Sequence, residues 1–563
     1  MSFTTFSELE YVRPDLDAAL EEGQKVIEGL KNAPDFETQL ALYKAYEENE
    51  CHWFTMQTVA SIRNTGNTDD AFYEEEMKYF NSKVPSLMLQ NKEIGEVILE
   101  SPWRAEWEAA YGKLYLQGME INKKLQSPAI LEDSVADSNL RMAYSKAAAV
   151  ASTEFRGETV NFYGLLKHMQ SLDREERREA MIAWGDLYEK VSGELDAIYD
   201  QMIELRKGIA KKLGFDSFID YIYLERGRYD YTAADVEKFR EQVREVIVPV
   251  CQKLRDEQKK RLGIDTLNYY DESLIFPDGN PTPHGTKDEM VKIAQEMYRD
   301  MSKETGVFFD FMVEHDLFDL ETRPGKRGGG YCTFLPDMKA PFIFSNFNGT
   351  SADVDVLTHE AGHAFAAFTA AKEVPSMNQV FSTSEIAEIH SMTMEHWAYP
   401  YMDGFFGDKA DDYRYSHLMD AIMVIPYMCA VDEFQHRMFE GEFKDAKARR
   451  AIWHELEQTY MPWRQYDGHE FLAEGGFWMQ KQHIFLFPFY YIDYALAQIC
   501  AFNYYGMSKE EHDATWADYM RLCRCGGKFG YFDTLKYANL SNPFEEGTVK
   551  KIIESLLPEL KLA

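Results

Sequence analysis

Cysteine is scarce in this chain: seven among 563 residues, odd in number and scattered. That excludes a disulfide-stapled scaffold and fits free thiols in a reducing compartment. The closest pair, Cys523 and Cys525, is spaced too tightly for an ordinary zinc-binding pair. Basic residues are also short, 60 Lys and Arg against 95 Asp and Glu, for a net charge of −35. A nucleic-acid or anionic-membrane partner needs a basic face, so both are excluded as the main ligand. Long apolar runs are missing too. The best, Ile484 to Ala501, is interrupted by Asp493, Gln498 and several aromatic rings, and predicts a buried helix rather than a membrane span. Met1 to Asp15 has no basic start followed by an apolar core, so no secretory signal is read there. The expected location is the cytoplasm.

What is present is an ordinary globular composition, 45% hydrophobic and 28% charged, in a chain long enough for more than one core. Residues 16–60, 70–125 and 140–212 carry apolar positions at three- and four-residue spacing, which predicts helices. Breaks fall at Asn32–Pro34, Asn64–Asn67, Ser127–Pro128 and Phe276–Gly285. No fixed-period repeat occurs, which excludes a helical solenoid. The pattern changes at 323–349. Three glycines, Gly328 to Gly330, precede Tyr331-Cys-Thr-Phe-Leu335; a turn at Pro336–Pro341 leads into Phe342–Phe347. Aromatic and β-branched residues bounded by Gly and Pro predict a hairpin, whose exposed edge a peptide can join as a further strand.

Thr358-His-Glu-Ala-Gly-His-Ala364 follows. Composition alone yields roughly a few hundredths of a His-Glu-x-x-His match per chain of this kind. His359 and His363 are four apart, so a helix stacks them one turn apart on one side, where both reach one ion. Glu360, turned about 100° from His359, is placed to take a proton from a water activated by the metal. The bland alternative is an amphipathic helix with two surface histidines. His454-Glu455 and His469-Glu470 show what coincidence looks like, since neither has the second histidine. Thr350 to Asp353 supplies capping residues for the start of this helix. Gly362 lowers helix stability, so it predicts a close helix contact or an approach to the cleft.

A catalytic zinc site needs a third protein ligand. Ser382-Thr-Ser-Glu385 reads as a capping box opening a second helix that carries Glu385, Glu388, His390, Glu395 and His396. The residues alone leave all five open as the third ligand.

Thr358–Phe365, together with Ser384–Glu388 and Met394–Trp397, resembles the thimet oligopeptidase and oligoendopeptidase F family of zinc peptidases. So do Gly325–Cys332, Pro341-Phe-Ile and Asn346–Thr350. Gln482-His483 and Pro488–Ala495 are similar to its shorter bacterial oligoendopeptidase F and Pz-peptidase-like branch. The resemblance covers roughly 320–545 with specific motifs, and residues 1–200 only in being helical. It implies a mainly α fold, with two helical lobes around a deep substrate channel and a small β-hairpin beside the zinc helix. It implies an N-terminal helical lobe over 1–200 and a catalytic domain over 201–563. It places the third ligand 25 residues beyond the second histidine, at Glu388. Glu395, seven residues on, can hydrogen-bond a zinc histidine. His483 with Tyr494, Tyr490 or Tyr491, in that order of preference, is implied to donate to the developing oxyanion. Tyr490 and Tyr494 are expected to share a helix face starting near Pro488.

The function expected is therefore zinc-dependent endopeptidase action on short, unstructured oligopeptides, with zinc on His359, His363 and Glu388 and Glu360 as base. The rivals are a zinc aminopeptidase of another lineage and a non-catalytic, zinc-stabilised peptide-binding protein.

Overall fold

Helices dominate because the apolar spacing is helical almost throughout and acidic residues cap the starts. Asp15, Asp35 and Asp70 each accept backbone amides at the head of Leu16–Asn32, Phe36–Gly66 and Ala71–Leu99. The computed structural model describes residues 5–441, 443 and 445–562. It forms two compact units, each assembled from three stretches: 1–126, 281–410 and 503–541 in one; 127–280, 411–502 and 542–563 in the other. The units are thus interleaved along the chain, whereas the sequence reading divides it once, near residue 200.

Five strands occur among the described residues: β1 (Thr153–Phe155), β2 (Glu158–Val160), β3 (Phe318–Glu321), β4 (Tyr331–Leu335) and β5 (Ala340–Phe347). The expected hairpin is β4–β5, antiparallel, with Tyr331 opposite Phe344 and Leu335 opposite Ala340. The sequence reading missed β3, which pairs parallel to the far side of β5 and leaves β4 at the sheet edge. It also reads 140–212 as helical without a break. There the chain instead breaks into Leu131–Val150, the β1–β2 hairpin, Phe162–His168 and Arg174–Lys212. Arg156 and Gly157 both take positive φ, which turns the chain back on itself, and Asp173 caps the restarted helix.

In the first unit, Trp107, Tyr43, Ile94 and Leu116 form a buried cluster among the opening helices. The helix Ala352–Ala370 carries the His-Glu-x-x-His segment and the helix Ser384–Trp397 carries Glu388. They touch at Gly362. A Cβ there would lie 2.6 Å from Ser391 Cα and 2.9 Å from the His390 carbonyl, so only glycine permits the approach. The far face of the first helix packs Phe365 against Trp516 and Tyr519, and Tyr298 donates to the Leu357 carbonyl at 3.1 Å. In the second unit, Arg228 and Asp493 form a fully buried ion pair, and Arg206 binds Asp137. All seven cysteines are free thiols. No helix among the described residues is long and apolar enough to cross a membrane.

Candidate metal centre

Each ligand stands where local helix geometry puts it. His359 and His363 are one turn apart, ring centroids 5.0 Å apart and nearly perpendicular. Across from them Glu388, 5% exposed, presents Oε2 at 3.3 Å from His359 Nε2 and 3.5 Å from His363 Nε2. One donor atom from each of the three lies within 4.8 Å of the others, and no other such His, Cys, Asp or Glu cluster occurs among the described residues. Two imidazole nitrogens and one carboxylate oxygen converging in this way fit a catalytic zinc that keeps a position for water.

The structure thereby decides among the five open candidates. Glu395 is not a ligand but accepts from His359 Nδ1 at 2.5 Å, which turns Nε2 toward the ligand cluster. His390 directs Nε2 to the Leu522 carbonyl, and His396 stacks on Tyr505. Glu385 is buried elsewhere on the helix. Ser391, which the sequence reading missed, donates to Glu388 Oε2 at 3.1 Å; its position one turn after Glu388 was the available signal. Two capping expectations are corrected. The second helix begins at Ser384 with Thr383 as cap and no side-chain cap bond, so the Ser382 box is absent. Ser351 likewise caps the first helix without a side-chain bond, while Asp353 reaches back to the amides of Asn348 and Gly349.

The electrostatics suit a cation. Burial disfavours a charged His359, yet hydrogen bonds and charge from Glu388 and Glu395 outweigh it and hold its pKa well above the usual value. Burial likewise opposes the Glu388 charge, and the two histidines overcome it, holding that carboxyl well below the usual range. The cluster thus favours positive charge in its midst. Glu360 is half-buried, and among the described residues its carboxylate has no hydrogen-bond or ion-pair partner. It faces the entrance to β4, where a Cβ on Gly330 would lie 3.8 Å from Glu360 Oε1.

His483 and the tyrosines lie in the second unit and cluster with one another. Ring centroids are 6.0 Å from His483 to Tyr490, 4.7 Å to Tyr491 and 6.4 Å to Tyr494. The expected helix start near Pro488 is corrected. Phe489 takes φ +60° and the helix begins at Ile492, so Tyr490 sits in the preceding turn and Tyr494 in the first turn. Their rings still meet, 5.1 Å apart. Lys481 donates to the Tyr491 hydroxyl at 3.1 Å, and Arg226 lies over the Tyr490 ring and donates to the Pro488 carbonyl at 2.6 Å. Burial, then the charges of Lys481 and Arg226, push His483 down to about 4, so the imidazole is neutral at pH 7.

Fold and donor set together define a metallopeptidase of the His-Glu-x-x-His type. The chain belongs to peptidase family M3: residues 167–552 match the Peptidase family M3 model and residues 6–126 match the Peptidase M3 N-terminal domain. A crystal structure provisionally named as an oligoendopeptidase F is 40% identical, covers 100% of this chain and 99% of its own, and has a TM-score of 0.92. Pz peptidase A with an inhibitor is 39% identical over 99% of each chain, also at 0.92. The chromosomal oligoendopeptidase F of Lactococcus lactis subsp. cremoris is 25% identical over 254 residues, 44% of this chain and 41% of that protein. That match spans less than half the length of the relative.

Proposed function

We propose that this chain is a zinc-dependent endopeptidase that hydrolyses internal bonds of short, unstructured oligopeptides. The observation that carries the reading is the unpartnered carboxylate of Glu360, one residue from a ligand in a converged two-histidine, one-glutamate cluster. His359, His363 and Glu388 would hold a zinc, which would supply Lewis acidity for the scissile carbonyl and lower the pKa of water toward neutrality. Glu360 accepts the proton of the attacking water and passes it to the departing amine. Glu395 keeps the His359 ring in the orientation and tautomer that ligation requires. The β4 edge offers main-chain pairing to an extended peptide, next to Glu360.

The same reading assigns His483, Tyr494 and Tyr490 to donate hydrogen bonds to the oxyanion. It is supported by the neutral state of His483, by the mutual clustering of the rings and by the family resemblance of the segment. A cytoplasmic location accords with the seven free thiols. The test is mass spectrometry of products from a mixed peptide library containing N-acetylated members, with and without chelator. Internal cleavage of acetylated peptides that stops on chelation is expected. Release of single N-terminal residues from unblocked peptides only would make the protein an aminopeptidase, and binding without cleavage would make it a scaffold.

A further inference from the structure

The glycine segment before β4 carries three cations, Arg323, Lys326 and Arg327, and they are used unequally. Arg323 forks onto Asp319 at 2.6 and 2.7 Å. Lys326 has no exposed side-chain surface and binds Asp319 Oδ1 at 2.8 Å with the carbonyls of Asp319, Glu321 and Ser345. Both are spent on holding the loop. Arg327 is exposed, and among the described residues no acidic group pairs with it, in a chain of net charge −35.

The backbone around Arg327 is nevertheless fixed. Its amide donates to the Thr65 carbonyl at 2.8 Å, and Asn346 Nδ2 donates to the carbonyls of Arg327 and Gly329 at 2.9 and 2.8 Å. The amides of Gly328 and Gly329 have no acceptor among the described residues, and both glycines are exposed. Tyr331 stacks on Phe344 and shares a hydrogen bond with Thr65, which closes the far end of the turn. The segment therefore holds one free guanidinium and two free N–H groups on a pinned loop. Gly330, at its end, faces Glu360. Three residues of chain span at most about 10 Å, so the Arg327 Cα lies within about three extended peptide residues of that point.

We propose that Arg327, with the amides of Gly328 and Gly329, is a carboxylate-recognition site for the substrate, deepening the peptidase reading on which it rests. It selects peptides carrying a C-terminal carboxylate, or an Asp or Glu side chain, within about three residues of the cleaved bond. A planar guanidinium beside backbone N–H donors suits a carboxylate, and a preformed loop spares ordering entropy on binding.

The test uses full-length zinc-loaded protein and quenched fluorescent peptides in matched pairs: free C-terminus against amide, and Glu against Gln at each position flanking the cut. Wild type is expected to favour the carboxylate member. Arg327→Gln should raise KM for that member about tenfold or more, as loss of a charge-assisted hydrogen bond predicts, with kcat held. Arg327→Lys should recover part of the preference. Arg323→Gln, which removes a structural partner of Asp319, should shift both members of each pair together. The amide pair and the Gln pairs separate a terminal from a side-chain carboxylate. Cleavage by wild type with no carboxylate preference, or an equal loss on both members in Arg327→Gln, overturns the site but leaves the peptidase reading standing. No cleavage of any pair overturns both.

Discussion

The two regions assigned to catalysis differ in how sequence determines geometry. The metal centre is built from two helices, and its key distances follow from a spacing of four along one and from the close approach of the two at Gly362. The His483–Tyr494 segment is a short helix, a turn with one residue at positive φ, and the head of another helix. Helical stacking is a rule that a sequence obeys locally. A turn held by Arg226 on Pro488 O and by Gln435 on the Phe489 amide is set by residues far away in the chain. Periodicity therefore locates the first site to the residue and the second only to the segment.

The largest expected effect breaks the chemistry of the first region without touching its geometry. Glu360→Gln removes the proton acceptor and no ligand, so kcat should fall about 10²–10⁴-fold, while zinc content measured by atomic absorption stays that of wild type. An undiminished rate would show that Glu360 is not the base. The next effect probes orientation alone. Glu395→Gln leaves the three ligands in place but weakens the hold on His359 Nδ1, and zinc affinity from chelator competition should fall about 10–100-fold. Zinc affinity unchanged in that variant would mean that the 2.5 Å contact to His359 does nothing for ligation.

Most of the candidate centre is legible in the sequence. His359, Glu360 and His363 are one motif on one helix. Glu388 needed the family resemblance, because Glu385, Glu395 and two histidines share its helix and periodicity cannot tell which of them faces another element. The hairpin was legible from glycines and β-branched residues. β3 was not, since its four residues, Phe318–Glu321, gain strand character by pairing with β5 rather than by their own pattern. The β1–β2 hairpin was overlooked for a related reason: the eight residues 153–160 vanish into a long helical window unless Arg156-Gly157 is read as a turn. Helix starts are the least legible, because Ser382 and Pro488 advertise starts that the folded chain places at Ser384 and Ile492.

The smallest expected effect is the absence of one, and it sharpens the contrast between the regions. His483 is surrounded by Lys481 and Arg226 and partly buried, so its pKa lies near 4 rather than at the usual value of about 6.5. Above pH 6 it is neutral and keeps one N–H to donate, which is the form an oxyanion donor requires. The activity profile between pH 6 and 8 should therefore show no limb from His483, and its ring protons should titrate with a midpoint near 4 by NMR. The sign for stability follows from proton binding. Between about 4 and 6.5 the unfolded chain holds a proton on this residue that the folded protein does not. His483 thus lowers stability as pH falls through that window, and its full cost is reached below 4. A midpoint near 6.5 would mean that the cations and the burial around His483 do not act on it. The segment would then be an ordinary solvated surface, and its place in the oxyanion site would fall with it.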